Sequence, residues 1–153
     1  MTRILAIDPG LTGAMAYYQT DFYENIVVAD MPVVDGEINV HQLNYMLRAT
    51  SFDVAYIERV GPMPRDGVRQ AWRFSAAYTA ARTVVSLIGI PTKLVAPTTW
   101  KKAMKMAGGP EGKEQCRALA IELFPSCAAA FERKKDQGRA EAALLAVYAS
   151  RNP

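Results

Sequence analysis

The junction where Ile4-Leu5-Ala6-Ile7 runs directly into Asp8-Pro9-Gly10 constrains this chain more than any other stretch. An unbroken apolar run of this length fits a strand buried on both faces, and Asp-Pro-Gly is a strong turn signal. Apolar and small residues resume through Tyr18, so the pattern predicts an adjacent antiparallel strand. A carboxylate at the end of a central strand is costly to hold unless something positive meets it. Taken alone, Asp8 reads equally well as a residue that simply opens a turn.

The later segments change that balance. Asn25 to Met31 reads as a third strand closing a meander, followed by an Asp35-Gly36 turn. Val40, Leu43, Met46 and Leu47 recur at helical spacing behind Asn39, a good N-cap. Asp53 to Glu58 is a fourth strand, again ending in an acid, and Arg59 to Gly67 is an irregular loop with two prolines and two glycines. A long helix is expected from about Val68 to Leu87, stopped by Gly89 and Pro91. Pro91 to Ala96 reads as a fifth strand. Pro97 to Lys102 begins a short helix that Gly108-Gly109-Pro110 breaks, Lys113 to Phe124 is helical, and a last helix runs from about Gly138 to Ser150. This order of elements is α/β: a mixed five-stranded sheet, a three-strand antiparallel meander plus parallel strands, flanked by helices.

The length of 153 residues fits one domain, 1–153, with a sizeable core. The net charge of +3 permits a nucleic-acid partner without demanding one. Cys116 and Cys127 have neither disulfide-framework nor zinc spacing, and Asp8 interrupts the start too early for a secretory leader, so the expectation is a cytoplasmic protein with reduced thiols and no membrane segment. His41, the only histidine, has no partner in the local sequence and reads as a surface residue.

Asp8 and Glu58 close two separate apolar strands, and Glu141 enters the apolar stripe of the last helix between Ala140 and Ala142. Asp136 lies shortly before it, where an acid is usually only a helix-start residue. Carboxylates converging where strand ends meet a helix repel one another, and oxygen-preferring divalent cations relieve that repulsion.

Four segments in this order resemble the RuvC-type Holliday junction resolvases of the RNase H-like (retroviral integrase) superfamily, and more closely their short phage-encoded branch. They are Ile7-Asp8-Pro9-Gly10-Leu11-Thr12-Gly13; Tyr56-Ile57-Glu58-Arg59-Val60 with the Pro62-Met63-Pro64-Arg65-Asp66-Gly67 loop; Trp100-Lys101-Lys102 after Pro97; and Lys134-Lys135-Asp136-Gln137-Gly138-Arg139-Ala140-Glu141-Ala142-Ala143-Leu144-Leu145. The resemblance covers nearly the whole chain and implies an RNase H-like fold. It further implies a homodimeric nuclease that nicks four-way DNA junctions symmetrically, with two Mg²⁺ per site, Mn²⁺ as a substitute and no nucleotide cofactor. On it, Asp8 would bridge the metals, Glu58 would hold one, Glu141 matches the last-helix acid and Asp136 the acid before it. Lys101 and Lys113 match two basic residues important to the bacterial enzymes; for Lys113 a solvated helix face is an equal alternative. Two departures stand out. Bacterial members space their final acids three apart, whereas Asp136 and Glu141 are five apart, roughly 140° around a continuous helix. Asp136 must then reach inward from a turn, or Gln137, on the face of Glu141, takes its place. Bacterial members also carry an aromatic residue just after the strand-end Glu, where this chain has Gly61.

Acidic sites repel DNA, so a basic surround is required. Arg65, Arg69 and Arg73 near the start of the long helix, and Lys101, Lys102 and Lys105 on the Trp100 segment, are the candidates, with Met63 as an apolar wedge at the loop tip. The long helix is apolar over most of its circumference, which predicts a two-fold dimer seam through about 68–88 with alanines allowing close approach. Two other functions compete: a less selective nuclease for flaps and forks, and a non-catalytic junction-binding protein. An actin-like kinase would need a second similar domain, for which the chain is too short.

Overall fold

The computed structural model describes residues 1–153. In chain order, β1 (Arg3–Asp8), β2 (Ala14–Gln19) and β3 (Ile26–Asp30) form the expected meander. A small hairpin of β4 (Val33–Val34) and β5 (Glu37–Ile38) follows, closed by the Asp35-Gly36 turn. Then come α1 (Val40–Arg48), β6 (Val54–Glu58), α2 (Val68–Ile88), β7 (Thr92–Val95), α3 (Pro97–Ala103), α4 (Gly109–Leu123) and α5 (Gln137–Arg151). The main sheet has the order β3-β2-β1-β6-β7, antiparallel between the first three strands and parallel from β1 through β6 to β7. The mixed five-stranded sheet read from the sequence is therefore the observed one.

The pairing explains why two acids meet. Parallel register sets Ile7 beside Ile57, which leaves Asp8 and Glu58 one step further along at the carboxyl ends of neighbouring strands. Side chains alternate across a strand. Asp8 thus shares a face with Ile4 and Ala6, and Glu58 shares that same face with Tyr56. On this face Ala142, Leu145, Ala146 and Ala149 of α5 pack against the sheet, backed by Trp100 of α3 and by Cys116 and Ala120 of α4. The opposite face, through Leu5, Ile7, Ala55 and Ile57, buries Leu43 and Leu47 of α1 and Ala77, Ala81, Val84 and Val85 of α2.

A glycine sets how closely α5 approaches. A Cβ at Gly138 would lie 2.6 Å from the carbonyl oxygen of Thr12 and 3.1 Å from Gly13, in the turn between β1 and β2. Only a residue without a side chain lets the first turn of α5 sit against the turn that follows Asp8.

Two expectations are corrected. Gly108-Gly109-Pro110 does not separate the short helix from a helix starting at Lys113; Gly109 and Pro110 are the first turn of α4, where proline fits because its missing N–H has no partner to lose. The apolar circumference of α2 is not one seam either. Ala77 and Ala81 are buried against the chain's own sheet, whereas Val68, Trp72 and Leu87 are exposed, Trp72 at 77%. Asn39 does cap α1, its Oδ1 accepting from the Gln42 N–H at 3.1 Å. No helix is long and apolar enough to cross a membrane.

Candidate active site

Three acids converge at the carboxyl edge of the sheet. One ligand oxygen from each of Asp8, Glu58 and Glu141 lies within 4.8 Å of the others. Asp8 comes from the end of β1 and Glu58 from the end of β6; Glu141 opens the second turn of α5, brought there by the close seat of Gly138. Burial, and then the charges of Glu58 and Glu141, hold the Asp8 carboxyl well above its ordinary pKa, with Lys101 opposing. Glu58 is raised too, by burial and then by Glu141, against the pull of Lys101 and of a hydrogen bond from Trp100. Crowded, partly desolvated carboxylates of this kind are an electrostatic debt that a cation cancels.

Polar neighbours orient these acids. Lys101 donates from Nζ to Glu141 Oε1 at 3.0 Å. Burial works against the Lys101 ammonium, but the charge and hydrogen bond of Glu141 outweigh it and its pKa is raised. Gln137 donates from Nε2 to the same Glu141 oxygen at 3.1 Å, while its own Oε1 is buried without a hydrogen-bond partner. The indole N–H of Trp100, a side chain with no exposed surface, donates to Glu58 Oε1 at 3.1 Å.

The donor set suits a hard cation. It is all oxygen, with three carboxylates and no histidine, which is the preference of Mg²⁺ or Mn²⁺. Cys116 lies close by, but burial and then Glu141 push its thiol up to about 11. It is therefore a neutral thiol at neutral pH.

Asp136 is not in this cluster. Its carboxylate is buried, with 2% of the side chain exposed, against Arg133 instead. It accepts from the Arg133 backbone N–H at 2.9 Å and from the Arg133 guanidinium at 2.8 Å, and Arg139 stands 3.7 Å away. The hydrogen bond from the Arg133 side chain is the main reason its pKa is lowered. The physical cause is the short 3₁₀ turn Lys134–Asp136 ahead of α5, which Asp136 ties back to Arg133. Gln137, one turn before Glu141, occupies the inward position. Arg139 also pairs with Asp30 at 2.7 Å, fastening the start of α5 to β3. Lys113 is exposed on α4 and makes no hydrogen bond to the acids.

Arg69 and Arg73 line a cleft of about 450 Å³ with Leu11, Thr12, Gly67, Gln70 and Phe74, beside the turn that follows Asp8. Arg65, Lys102 and Lys105 are exposed, and Met63 is 67% exposed at its loop tip, where the Met63 N–H donates to Asp66 Oδ2 at 2.9 Å. Nothing in the sequence marks Trp100 as a partner of Glu58. It stands out only as a large aromatic set in an otherwise polar helix start.

No family sequence model and no curated protein sequence matches the chain. Solved structures do. RuvC of Thermus thermophilus in complex with a Holliday junction substrate superposes with a TM-score of 0.65 at 16% identity, covering 99% of this chain and 96% of that one. The chain has the RuvC fold. A second RuvC structure from Thermus thermophilus gives a TM-score of 0.62 at 14% identity over 97% of this chain and 95% of the other. Full-length coverage in both directions means that the RuvC-like architecture includes the sheet edge carrying Asp8 and Glu58 and the helix carrying Glu141.

Proposed function

We propose that this protein is a divalent-metal-dependent endodeoxyribonuclease that resolves four-way DNA junctions as a homodimer. The observation that carries the reading is the convergence of Asp8, Glu58 and Glu141, from two strands and a helix, within 4.8 Å. Those three side chains would hold Mg²⁺, two ions per site, with Mn²⁺ able to substitute. When bound there, such an ion would supply charge neutralisation for a phosphodiester and activation of an attacking water. The chain's own groups do the rest. Lys101, already paired to Glu141, places an ammonium where negative charge grows on the phosphate. Gln137 restrains Glu141 from the position that Asp136 does not fill.

DNA would be held by Arg65, Arg69, Arg73, Lys102 and Lys105 through phosphate contacts, which position a duplex without reading its sequence. Met63 would wedge against bases where the junction is open. The seam of the dimer would be the outer face of α2, with Val68, Trp72 and Thr79, since its inner face is committed to the sheet. Lys113 keeps only an electrostatic role at a distance. The setting would be the cytoplasm of a bacterial or phage-infected cell. The RuvC-bound junction of the Thermus thermophilus structure supports branched DNA as the substrate class.

The test is incubation of the wild type with matched four-way, Y-shaped and linear DNAs with and without Mg²⁺. Paired, symmetric nicks in the four-way DNA alone are expected. Equal cutting of the Y-shaped DNA would assign a general branched-DNA nuclease, and binding without cutting would assign a junction-binding protein.

A further inference from the structure

We propose that Trp100 is a positioning residue for the cation site, its indole N–H fixing the carboxylate of Glu58. The inference rests on the metal-site reading above and goes one step further out. An indole N–H can only donate, and a buried one needs an acceptor. Trp100 has no exposed surface, and its acceptor is Glu58 Oε1 at 3.1 Å. A phenylalanine would keep an aromatic ring between sheet and helices, with a smaller volume and without that donor.

The placement is shared with the next residue. Trp100 and Lys101 are consecutive on α3, and Lys101 Nζ reaches Glu141 Oε1 at 3.0 Å while lying 5.3 Å from the centre of the Trp100 ring. One short helix therefore restrains two of the three acids, each through a nitrogen donor. The helix is anchored by the ring itself, which belongs to the core formed with Tyr56, Met104, Cys116 and Leu144. A glutamate has three side-chain torsions to immobilise, and an outer donor that fixes them beforehand removes that cost from cation binding. Loss of such a partner weakens metal affinity by about 10–100-fold in comparable sites.

Trp100→Phe keeps an aromatic ring, though a smaller one, and deletes the donor. Mn²⁺ binding measured by calorimetry without DNA is expected to weaken at least about tenfold in W100F. A second measurement does not depend on that variant folding. In ¹⁵N-labelled W72F protein, the single remaining indole N–H resonance belongs to Trp100, and saturating Mg²⁺ should shift it. Undiminished Mn²⁺ affinity in folded W100F, or an indole resonance unmoved by Mg²⁺ that the protein demonstrably binds, would overturn the inference alone. Failure of the wild type to bind either ion would overturn it together with the metal-site reading.

Discussion

At the scale of single residues, the proposed chemistry rests on the cluster of Asp8, Glu58 and Glu141, and two of these acids have direct tests. Asp8→Asn and Glu141→Gln are each expected to lower Mg²⁺-dependent junction cleavage by about 100-fold or more, because several kcal/mol of charge stabilisation depend on the ligands. Binding of the uncut junction, followed by gel shift in EDTA, should be unchanged or tighter. The same acids set a pH dependence. Asp8 and Glu58 have pKa values raised by burial and by neighbouring charge. Their contribution to stability is therefore fullest below the ordinary carboxylate range and is lost as pH rises through the raised values. In EDTA, the melting temperature of the wild type should fall as pH rises above the ordinary carboxylate range, and Asp8→Asn should flatten that fall. Asp30 and Asp136, whose pKa values are lowered by hydrogen bonds from Arg139 and Arg133, titrate below this window and do not mask it. Asp136→Asn provides the contrast: a melting temperature lower by a few degrees, with Mn²⁺ affinity measured by calorimetry as in the wild type.

At the scale of elements, the strands were legible and the partition of the helices was not. Ile4 to Ile7 and Val54 to Ile57 announce buried strands, and period-two alternation puts Asp8 and Glu58 on one face once the strands are parallel neighbours. Glu141 was legible as an acid inside an apolar stripe. Asp136 was not, because its direction depends on a 3₁₀ turn and on Arg133, and five residues of separation says nothing about either. Helix α2 was ambiguous for another reason. Alanines and aromatics surround it, so no polar face marks which side meets the sheet. The structure assigns Ala77 and Ala81 to the inside. Ala77→Glu or Ala81→Glu should therefore damage folding itself, visible as a lost cooperative melt. Trp72→Glu together with Thr79→Glu, both on the exposed side, should leave the melt intact and give monomers by light scattering. An unchanged dimer in that double variant would place the seam elsewhere.

At the scale of the whole molecule, one end of the sheet gathers everything the proposed reaction needs. The acids sit at the carboxyl edge of β1 and β6, α5 closes over them, α3 restrains two of them, and the arginines of α2 flank the turn beyond Asp8. A cleft of about 780 Å³ lies elsewhere, lined by Thr79, Arg82, Thr83 and Ser86 of α2 and by Pro91 and Thr92 at the opposite end of β7 from Val95. It is therefore remote from the strand end that carries Glu58. The measurement that bears most directly on the central claim is anomalous scattering from crystals grown with Mn²⁺. Strong peaks are expected among the carboxylates of Asp8, Glu58 and Glu141, and none at Asp136. Crystals with Mn²⁺ bound only elsewhere, or at Asp136 and not at Asp8, would contradict that claim.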